Sequence, residues 1–422
     1  MMRPNGAGVM ALLAADILTT AGHEVVVLGG GMKASLAARL DDMHFAAAGF
    51  TNNEKALEGS VTSTDHRALI RSFRAWLDHQ LETHSPDVLY VHNCGRILSQ
   101  LDLVDLSKRL PVAHTMHDEW FYTDAHYKFR PDAATRVLRT FEPGRSASVL
   151  EHRYGELFEI PGRVGTFTAI GPSRWLTERA RRVFPSLNIV HLPNAVDTSL
   201  FDLQNRADAR NVLGLPADRS VVLFVGNPTQ RRKGFAALER AIQHLSNSTG
   251  EKPIRLIAGG AFSGMVGDVS LAPGPLATHL ERESGGPMGT LDIDGDAIAV
   301  SGLDRSLMPA LYGAANVLVH PSIIDNLPTV PIEAGLCGTR CLASNVGGTA
   351  ETIVDTADLF AVDTSAATLG ARIGDAIQSS HNEQPADREQ RRSVQLERFG
   401  LEAHKLALLA ILEDLRTAGV AT

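Results

Sequence analysis

Val317-Leu318-Val319-His320-Pro321-Ser322-Ile323-Ile324-Asp325-Asn326-Leu327-Pro328-Thr329-Val330-Pro331-Ile332-Glu333-Ala334-Gly335-Leu336-Cys337-Gly338 is the stretch from which the rest of the chain can be read. Its apolar opening, Val317 to Val319, has the composition of a buried parallel strand. His320-Pro321-Ser322 breaks that run. Asn326 is a good N-cap, and Pro328 fits the first helical turn, where the early N–H groups have no partner. Gly338 after Cys337 reads as the helix stop. The expectation is a strand, a turn and a short helix aimed back at the turn. Such a helix start offers free N–H groups and the positive end of a dipole, a ready site for phosphate. Glu333 falls about one and a half turns further in. There a carboxylate can accept bonds from a pair of sugar hydroxyls.

A chain of 422 residues exceeds one core and implies two domains, or three. Its 44% hydrophobic and 21% charged residues are ordinary for a soluble globular protein, which excludes a fibrous or disordered class. A net charge of −8 argues against nucleic-acid binding by bulk charge. Cys94, Cys337 and Cys341 lack metal-ligand spacing and read as buried thiols in a reducing compartment. No run reaches the ~18 apolar residues of a membrane span. The N-terminus lacks the pattern of a secretory signal. The expected setting is cytoplasmic, with at most peripheral contact at the inner membrane face.

In the first part of the chain, Asn5-Gly6-Ala7-Gly8 leads into a helical run, Val9 to Thr20, closed by Gly22. A strand, Glu24 to Leu28, follows. A doubly wound domain starts with a strand before its glycine loop, at the middle of the sheet. Met1 to Asn5 are too few and too polar for it, so the expectation is a polypeptide that starts upstream. Thr64–Thr83 reads as a helix with Leu69, Phe73, Trp76, Leu77 and Leu81 on one face, Trp76 as core. Two strands end in polar residues, Pro86 to Val91 before His92-Asn93 and Pro111 to Met116 before His117-Asp118. In open α/β sheets ligands gather at such carboxyl ends. Residues 128–165 are basic, with Lys128, Arg130, Arg136, Arg139 and Arg145, and read as a solvated face. Gly165–Gly171 and Asn188–Leu192 are further strands, and 194–218 is a polar hinge.

The second half opens on Ser220 to Gly226, a buried strand, then Asn227-Pro228-Thr229-Gln230-Arg231-Arg232-Lys233-Gly234 and a helix from Phe235. Ile254–Gly260 is another strand, and 262–295 reads as a surface insertion. Asp292-Ile293-Asp294-Gly295-Asp296 mimics a metal-binding Asp-x-Asp and a calcium loop, but its glycine falls at the wrong position for the latter, and a hairpin or turn before strand Ala297–Val300 is the better reading. Arg388 to about Arg416 reads as one long amphipathic helix burying Phe399, Leu401, His404, Leu406, Leu409, Leu412 and Leu415.

Asp325 and Glu333, with seven residues between them, resemble the acidic-x7-Glu motif of retaining family-4-type glycosyltransferases with the GT-B fold, in their exopolysaccharide-like branch. Many members carry Glu where this chain has Asp325. Asn326-Leu327-Pro328, the Arg231-Arg232-Lys233-Gly234 loop, His117-Asp118-Glu119-Trp120 with Phe121, Thr123, His126 and Tyr127, and Val346 to Glu351 are similar to that family as well. The resemblance implies an α/β protein of two Rossmann-like domains facing across a cleft, with a last helix crossing back. The matching boundaries are 1–195 for an acceptor-side domain, 196–385 for a nucleotide-sugar domain and 386–422 for the crossover helix.

The resemblance also implies roles. His117, Asp325 and Lys233 are the catalytic candidates, with His117 facing the reaction centre. Gly6, Gly8, Asn227, Arg232, Lys233, Asn326, Leu327 and Glu333 are the donor-binding candidates, Glu333 on the ribose. Cations suit the basic loop because a leaving nucleoside diphosphate gains charge as the sugar bond breaks. No metal and no cofactor are implied, only a UDP- or GDP-linked sugar donor and a glycan, lipid-linked or small-molecule acceptor, with no nucleic acid partner. Two rivals stand beside this reading. A non-catalytic nucleotide-sugar-binding protein would keep the cleft and fail to hydrolyse the donor. A Rossmann oxidoreductase would need a strand–Gly-x-Gly-x-x-Gly–helix unit that the sequence lacks.

Overall fold

The computed structural model describes residues 6–30, 44–48, 63–92, 98–119, 121, 129–131, 138–140, 162–228, 230–259, 289–293, 297–301 and 305–420. The chain divides into two compact units. Unit 1 comprises Met1–Lys128, Phe141–Leu192 and Lys405–Thr422; unit 2 comprises Phe129–Thr140 and Pro193–His404.

In unit 1, α1 (Gly6–Thr20) precedes β1 (Val26–Gly30), which pairs in parallel with β2 (His44–Ala48). The helix takes in both Gly6 and Gly8, so the expected glycine loop is the first turn of α1 instead. The Ala- and Leu-rich run behind them is a strong helix former and offsets the roughly 1 kcal/mol that each glycine costs in a helix. Gly22 ends the helix at φ +90°, with bonds from Gly22 to Thr19 and from His23 to Leu18, a Schellman closure. Met1–Asn5 lie outside the described residues.

Next come α2 (Ser63–His84), β3 (Leu89–His92), α3 (Gln100–Ser107) and β4 (Val112–Thr115). After the short hairpin strands β5 (Phe129–Pro131) and β6 (Leu138–Thr140) the chain forms β7 (Phe167–Gly171), α4 (Arg174–Val183) and β8 (Ile189–His191). Strands β3, β4, β7 and β8 lie side by side in that order, all parallel. Val91, Val112, Ala169 and Ile189 from these strands pack with Phe73, Leu77 and Leu81 of α2 and with Leu103 of α3. Trp76 leans on the same cluster, 5.4 Å from the Phe73 ring, and is core as read.

Unit 2 is built on a sheet whose described strands run in the order β11, β12, β10, β9, β13, β14, β15. These are β9 (Val221–Val225), β10 (Ile254–Gly259), β11 (Gly289–Ile293), β12 (Ala297–Ser301), β13 (Val317–His320), β14 (Cys341–Ser344) and β15 (Leu359–Phe360). Only β11 runs antiparallel to its neighbour among these pairs, forming the hairpin expected before Ala297. The central strands bury both faces, which is why they read as continuous apolar runs. Val221 and Leu223 face one apolar cluster, and Val222 and Phe224 the other. The chain leaves β9 for β10 on one side and reaches β13 on the other. The turns after β9 and β13 therefore flank a switch point at the carboxyl ends, where ligands bind in open α/β sheets.

The stretch 194–218 holds a helix, α5 (Arg206–Leu213), capped by Asn205, with Ala209 and Leu213 in the core. Further on come α6 (Phe235–Thr249), α7 (Met308–Ala314), α8 (Thr329–Leu336), α9 (Ala366–His381), α10 (Pro385–Phe399) and α11 (Leu401–Val420). The single tail helix expected from 388 to 416 is thus two helices. They part at Gly400, whose φ −64° and ψ 145° are extended, and where a Cβ would lie 2.4 Å from the Leu396 carbonyl oxygen. The apolar face differs accordingly. Leu408, Leu412 and Leu415 are buried, whereas Leu406 is exposed. Residues 405–422 belong to unit 1, where Gly419 lies against Pro111. No described helix is long and apolar enough to cross a membrane.

Arginines of α10 fasten it to unit 2. Arg388 donates to the carbonyls of Gln204 at 2.8 Å and Cys337 at 3.1 Å, Arg391 to Gly338 at 3.0 Å, and Arg398 to Ile353 at 3.0 Å. A second polar network sits at the start of β9. Asn316 Oδ1 accepts from Arg210 Nη2 and from the Val221 amide, both at 2.7 Å, and its Nδ2 donates to Ser380 Oγ at 2.7 Å. Asn316→Ala strands a buried guanidinium donor and a strand amide, each orphaned group costing ~1–3 kcal/mol. Denaturant unfolding of the full chain should show a loss of about 3 kcal/mol; a loss under about 1 kcal/mol would mean that water replaces the asparagine.

Candidate functional site

β13, an interior strand, delivers His320 to its carboxyl end with the side chain buried. The chain then runs through Pro321 to Leu327 before α8 begins at Thr329. Asn326 is therefore not the N-cap. Pro328 holds that position, extended at φ −68° and ψ 126°, and Pro331 occupies the first turn instead. A residue before proline avoids the helical region, so Leu327 cannot be drawn into the helix. First-turn N–H groups have no intrahelical partner, and in α8 these are the amides of Thr329 and Val330, because Pro328 and Pro331 carry none. At the other end Gly338 adopts φ +78°, with Gly338 N–H on the Gly335 carbonyl and Thr339 N–H on that of Ala334, the expected stop.

The basic loop after β9 meets this turn. Gly226 sits at φ +152° and donates to the Ala258 carbonyl at 2.7 Å. Arg231–Lys233 form a single 3-10 turn ended by Gly234 at φ +72°. A Cβ on Gly234 would lie 1.8 Å from the Pro321 carbonyl oxygen, so only glycine lets the two loops touch. The Ile323 amide donates to the Arg232 carbonyl at 2.7 Å. Across this junction Lys233 Nζ reaches Asp325 Oδ2 at 2.7 Å. His320 Nε2 stands 3.5 Å and Ser322 Oγ 3.4 Å from the same oxygen. Burial alone would raise the Asp325 carboxyl, but the Lys233 ammonium and His320 outweigh it and hold it far below the ordinary carboxylate range. Burial lowers His320, so it is a neutral imidazole at pH 7. Arg232 and Asn227 are half-buried on the same loop.

A third segment closes on Asp325 from behind. Gly348 N–H donates to its carbonyl at 3.2 Å, and Gly347, at φ +54°, would place a Cβ 2.0 Å from that oxygen. The Ser344 hydroxyl donates to the Ser322 carbonyl. Pro321, Ser322, Asp325 and Lys233 are thus fixed by backbone contacts from three loops.

Glu333 projects from the second turn of α8 and is nearly buried. Tyr312, wholly buried on α7, donates its hydroxyl to Glu333 Oε2 at 2.6 Å. Arg305 Nη2 approaches Oε1 at 4.0 Å. Burial raises the Glu333 carboxyl, with the Tyr312 bond and Arg305 opposing. Sequence reading missed Tyr312, Arg305 and the role of His320, while Gly347 and Gly348 fall in the Val346–Glu351 stretch already noted for its resemblance. Only the strand-end position of His320 gave a local signal.

Unit 1 brings together a different set at the carboxyl ends of β3 and β4. His92 Nδ1 and His117 Nε2 lie 3.0 Å apart, and the Tyr90 hydroxyl meets Thr115 Oγ1 at 2.8 Å. Burial lowers both His114 and His117 to about 4, so both are neutral at pH 7. Phe121 is wholly buried in the core behind them. Asn93, Trp120, Thr123, His126 and Tyr127 lie outside the described residues, as do Cys94, Asp294 and Asp296. Gly6 and Gly8 are in α1.

The two histidines tie unit 1 to pH. Unfolded, each titrates near 6.5; folded, near 4. Between those values the unfolded chain binds more protons, so stability rises with pH across the window and is lost as pH falls through it. Melting temperature followed from pH 7 to pH 4 should fall, and His117→Gln should flatten the slope. An identical slope in the variant would show that His117 titrates normally.

Residues 205–393 match the family described as Glycosyl transferases group 1. Among curated proteins the chain is similar to D-inositol 3-phosphate glycosyltransferase of Nocardiopsis dassonvillei, 33% identical over 39% of this chain and 36% of that one. It is also similar to alpha-maltose-1-phosphate synthase of Mycobacterium tuberculosis, 32% identical over 46% and 49% respectively. The matches thus span between about a third and a half of these relatives. Among solved structures, sucrose-phosphate synthase of Thermosynechococcus elongatus shares the fold over 98% of this chain and 94% of its own, with TM-score 0.67 at 20% identity. HepE of Anabaena, solved with UDP-glucose, does so over 98% and 97%, with TM-score 0.60 at 15% identity. The chain has the GT-B fold, and its second unit carries the segment that matches the group 1 glycosyltransferases.

Proposed function

We propose that the chain is a retaining, metal-independent glycosyltransferase that moves a sugar from a UDP- or GDP-linked donor to a glycan, lipid-linked or small-molecule acceptor. The observation that carries this reading is the Lys233–Asp325 contact at the mouth of α8, inside the segment matching group 1 glycosyltransferases. It joins a cationic loop to an open helix start beside a switch point, the charge pattern a nucleoside diphosphate requires. The relatives include an inositol 3-phosphate glycosyltransferase, a maltose-1-phosphate synthase and a phosphatidylinositol monomannoside mannosyltransferase, which support small phosphate-bearing and lipid-linked acceptors alike.

In this reading Glu333 accepts from the ribose hydroxyls, and the α8 amides near Leu327 hold the diphosphate with Arg232 and Lys233. Asp325 and Asn326 orient the donor sugar, and Asn227 lines the same loop. The bond between the sugar's anomeric carbon and the diphosphate oxygen breaks while the acceptor oxygen bonds to that carbon. The acceptor proton passes to the departing phosphate oxygen, so no protein base is needed. His117, a neutral imidazole, keeps the catalytic role that the family resemblance implies. Arg232, Lys233 and the helix end supply the positive charge that a metal supplies elsewhere.

A panel of nucleotide sugars titrated calorimetrically in EDTA tests the reading, followed by transfer assays with the binders. Binding and transfer in EDTA are expected; activity that returns only with manganese or magnesium would overturn metal independence. Glu333→Ala should weaken nucleotide binding by ~1.5–3 kcal/mol, the range for hydrogen bonds to a charged group. Unchanged affinity in a folded variant removes Glu333 from the ribose. Neutralising a leaving diphosphate counts most in the transition state, so Lys233→Ala should lower kcat more than it raises KM. A pure KM effect would confine Lys233 to ground-state binding.

A further inference from the structure

Glu333 has two oxygens in different surroundings. Oε2 receives the Tyr312 hydroxyl at 2.6 Å, from a ring that is wholly buried. Oε1 lies 4.0 Å from Arg305, whose side chain is 44% exposed and rests over the Phe201 ring at 5.6 Å. One oxygen is therefore anchored in the core by Tyr312 and the other lies toward the half-exposed Arg305, with the Thr329 side chain also bonding the carboxyl. The Tyr312 ring is held independently of its hydroxyl. It packs edge-on to Phe201 at 6.0 Å, and its backbone carbonyl accepts from Thr339 Oγ1 at 2.7 Å.

We propose that Tyr312 is a positioning residue for ribose recognition, fixing the Glu333 carboxylate so that Oε1 is presented to a nucleotide's ribose hydroxyls. The inference rests on the ribose role proposed above for Glu333. A glutamate on a helix has three rotatable bonds, and ordering them on binding lowers affinity. A rigid donor on Oε2 orders them beforehand. The donor is dependable, because burial, and then the nearby Glu333 charge, push the Tyr312 hydroxyl well above its ordinary pKa. Tyr312 stays protonated and can only donate to an ionised Glu333. The bond also offsets part of the burial that raises the Glu333 carboxyl, and so favours the charged form that accepts best.

A core hydrogen bond with no further role would affect stability alone, so the readout is chemical discrimination. UDP and GDP, with their 2′-deoxy and 3′-deoxy counterparts, are titrated into the full chain and into Tyr312→Phe and Glu333→Gln, with thermal melts confirming the fold. Phe keeps the ring and its packing. The expected result is that Tyr312→Phe weakens the preferred ribonucleotide about tenfold, the worth of one hydrogen bond to a charged group. Binding of the deoxy forms stays as in the parent, so the preference for ribose shrinks, and Glu333→Gln shrinks it at least as far. If Glu333→Gln abolishes the preference while Tyr312→Phe leaves it intact or weakens all nucleotides equally, Tyr312 is structural and the proposal falls. If Glu333→Gln leaves the preference intact, the ribose role of Glu333 falls first and this inference falls with it.

Discussion

The Lys233–Asp325 ion pair is the contact on which the arrangement of unit 2's candidate site depends. Both side chains are largely withdrawn from solvent, 18% and 14% exposed. Removing one partner from such a pair leaves an uncompensated charge and costs on the order of 3–5 kcal/mol. The structure meets that constraint with backbone contacts. Gly234 touches Pro321, Ile323 bonds Arg232, and Gly347 with Gly348 closes on the Asp325 carbonyl. Three loops from three strand ends are thereby held in one register. An anionic ligand arriving at Lys233 competes with a carboxylate already in place, so its affinity is a difference between two strong contacts.

The two acidic residues of the motif live in opposed environments. Asp325 sits beside an ammonium and an imidazole and stays ionised well into acid, while Glu333 is drawn upward by burial with a phenol and a more distant guanidinium opposing. Two carboxylates on one strand–turn–helix unit can therefore serve different tasks, one held far below the ordinary carboxylate range and the other raised by burial against its hydrogen-bond partners. Environment, more than spacing, separates their roles.

Much of this was legible because it is local. Val317 to Gly338 declared a strand, a turn and a capped helix through its apolar run, its prolines and Gly338, and the Arg231–Gly234 loop declared itself by charge. The errors also have local causes. Asn326 looked like a cap because its chemistry suits one, but Pro328 forbids the preceding residue a helical conformation. Arg388 to about Arg416 reads as one helix by its apolar spacing, but Gly400 breaks that tail in two. What stayed hidden is non-local. Tyr312 stands 21 positions from Glu333, and Gly347 meets the Asp325 carbonyl by folding back from beyond β14. No periodicity announces such meetings, because they arise from how strands and helices stack.

The arginines of α10 carry a consequence of another kind. Arg388, Arg391 and Arg398 send bonds to backbone carbonyls at the end of α8 and beside it. A carbonyl gains no proton across the pH range a cell meets, and a guanidinium loses none. The bonds to carbonyls are therefore untouched by protonation, and Glu383 adds a carboxylate that pairs with both Arg388 and Arg391. The helix that carries Glu333 is gripped at its far end by guanidinium groups that keep their charge.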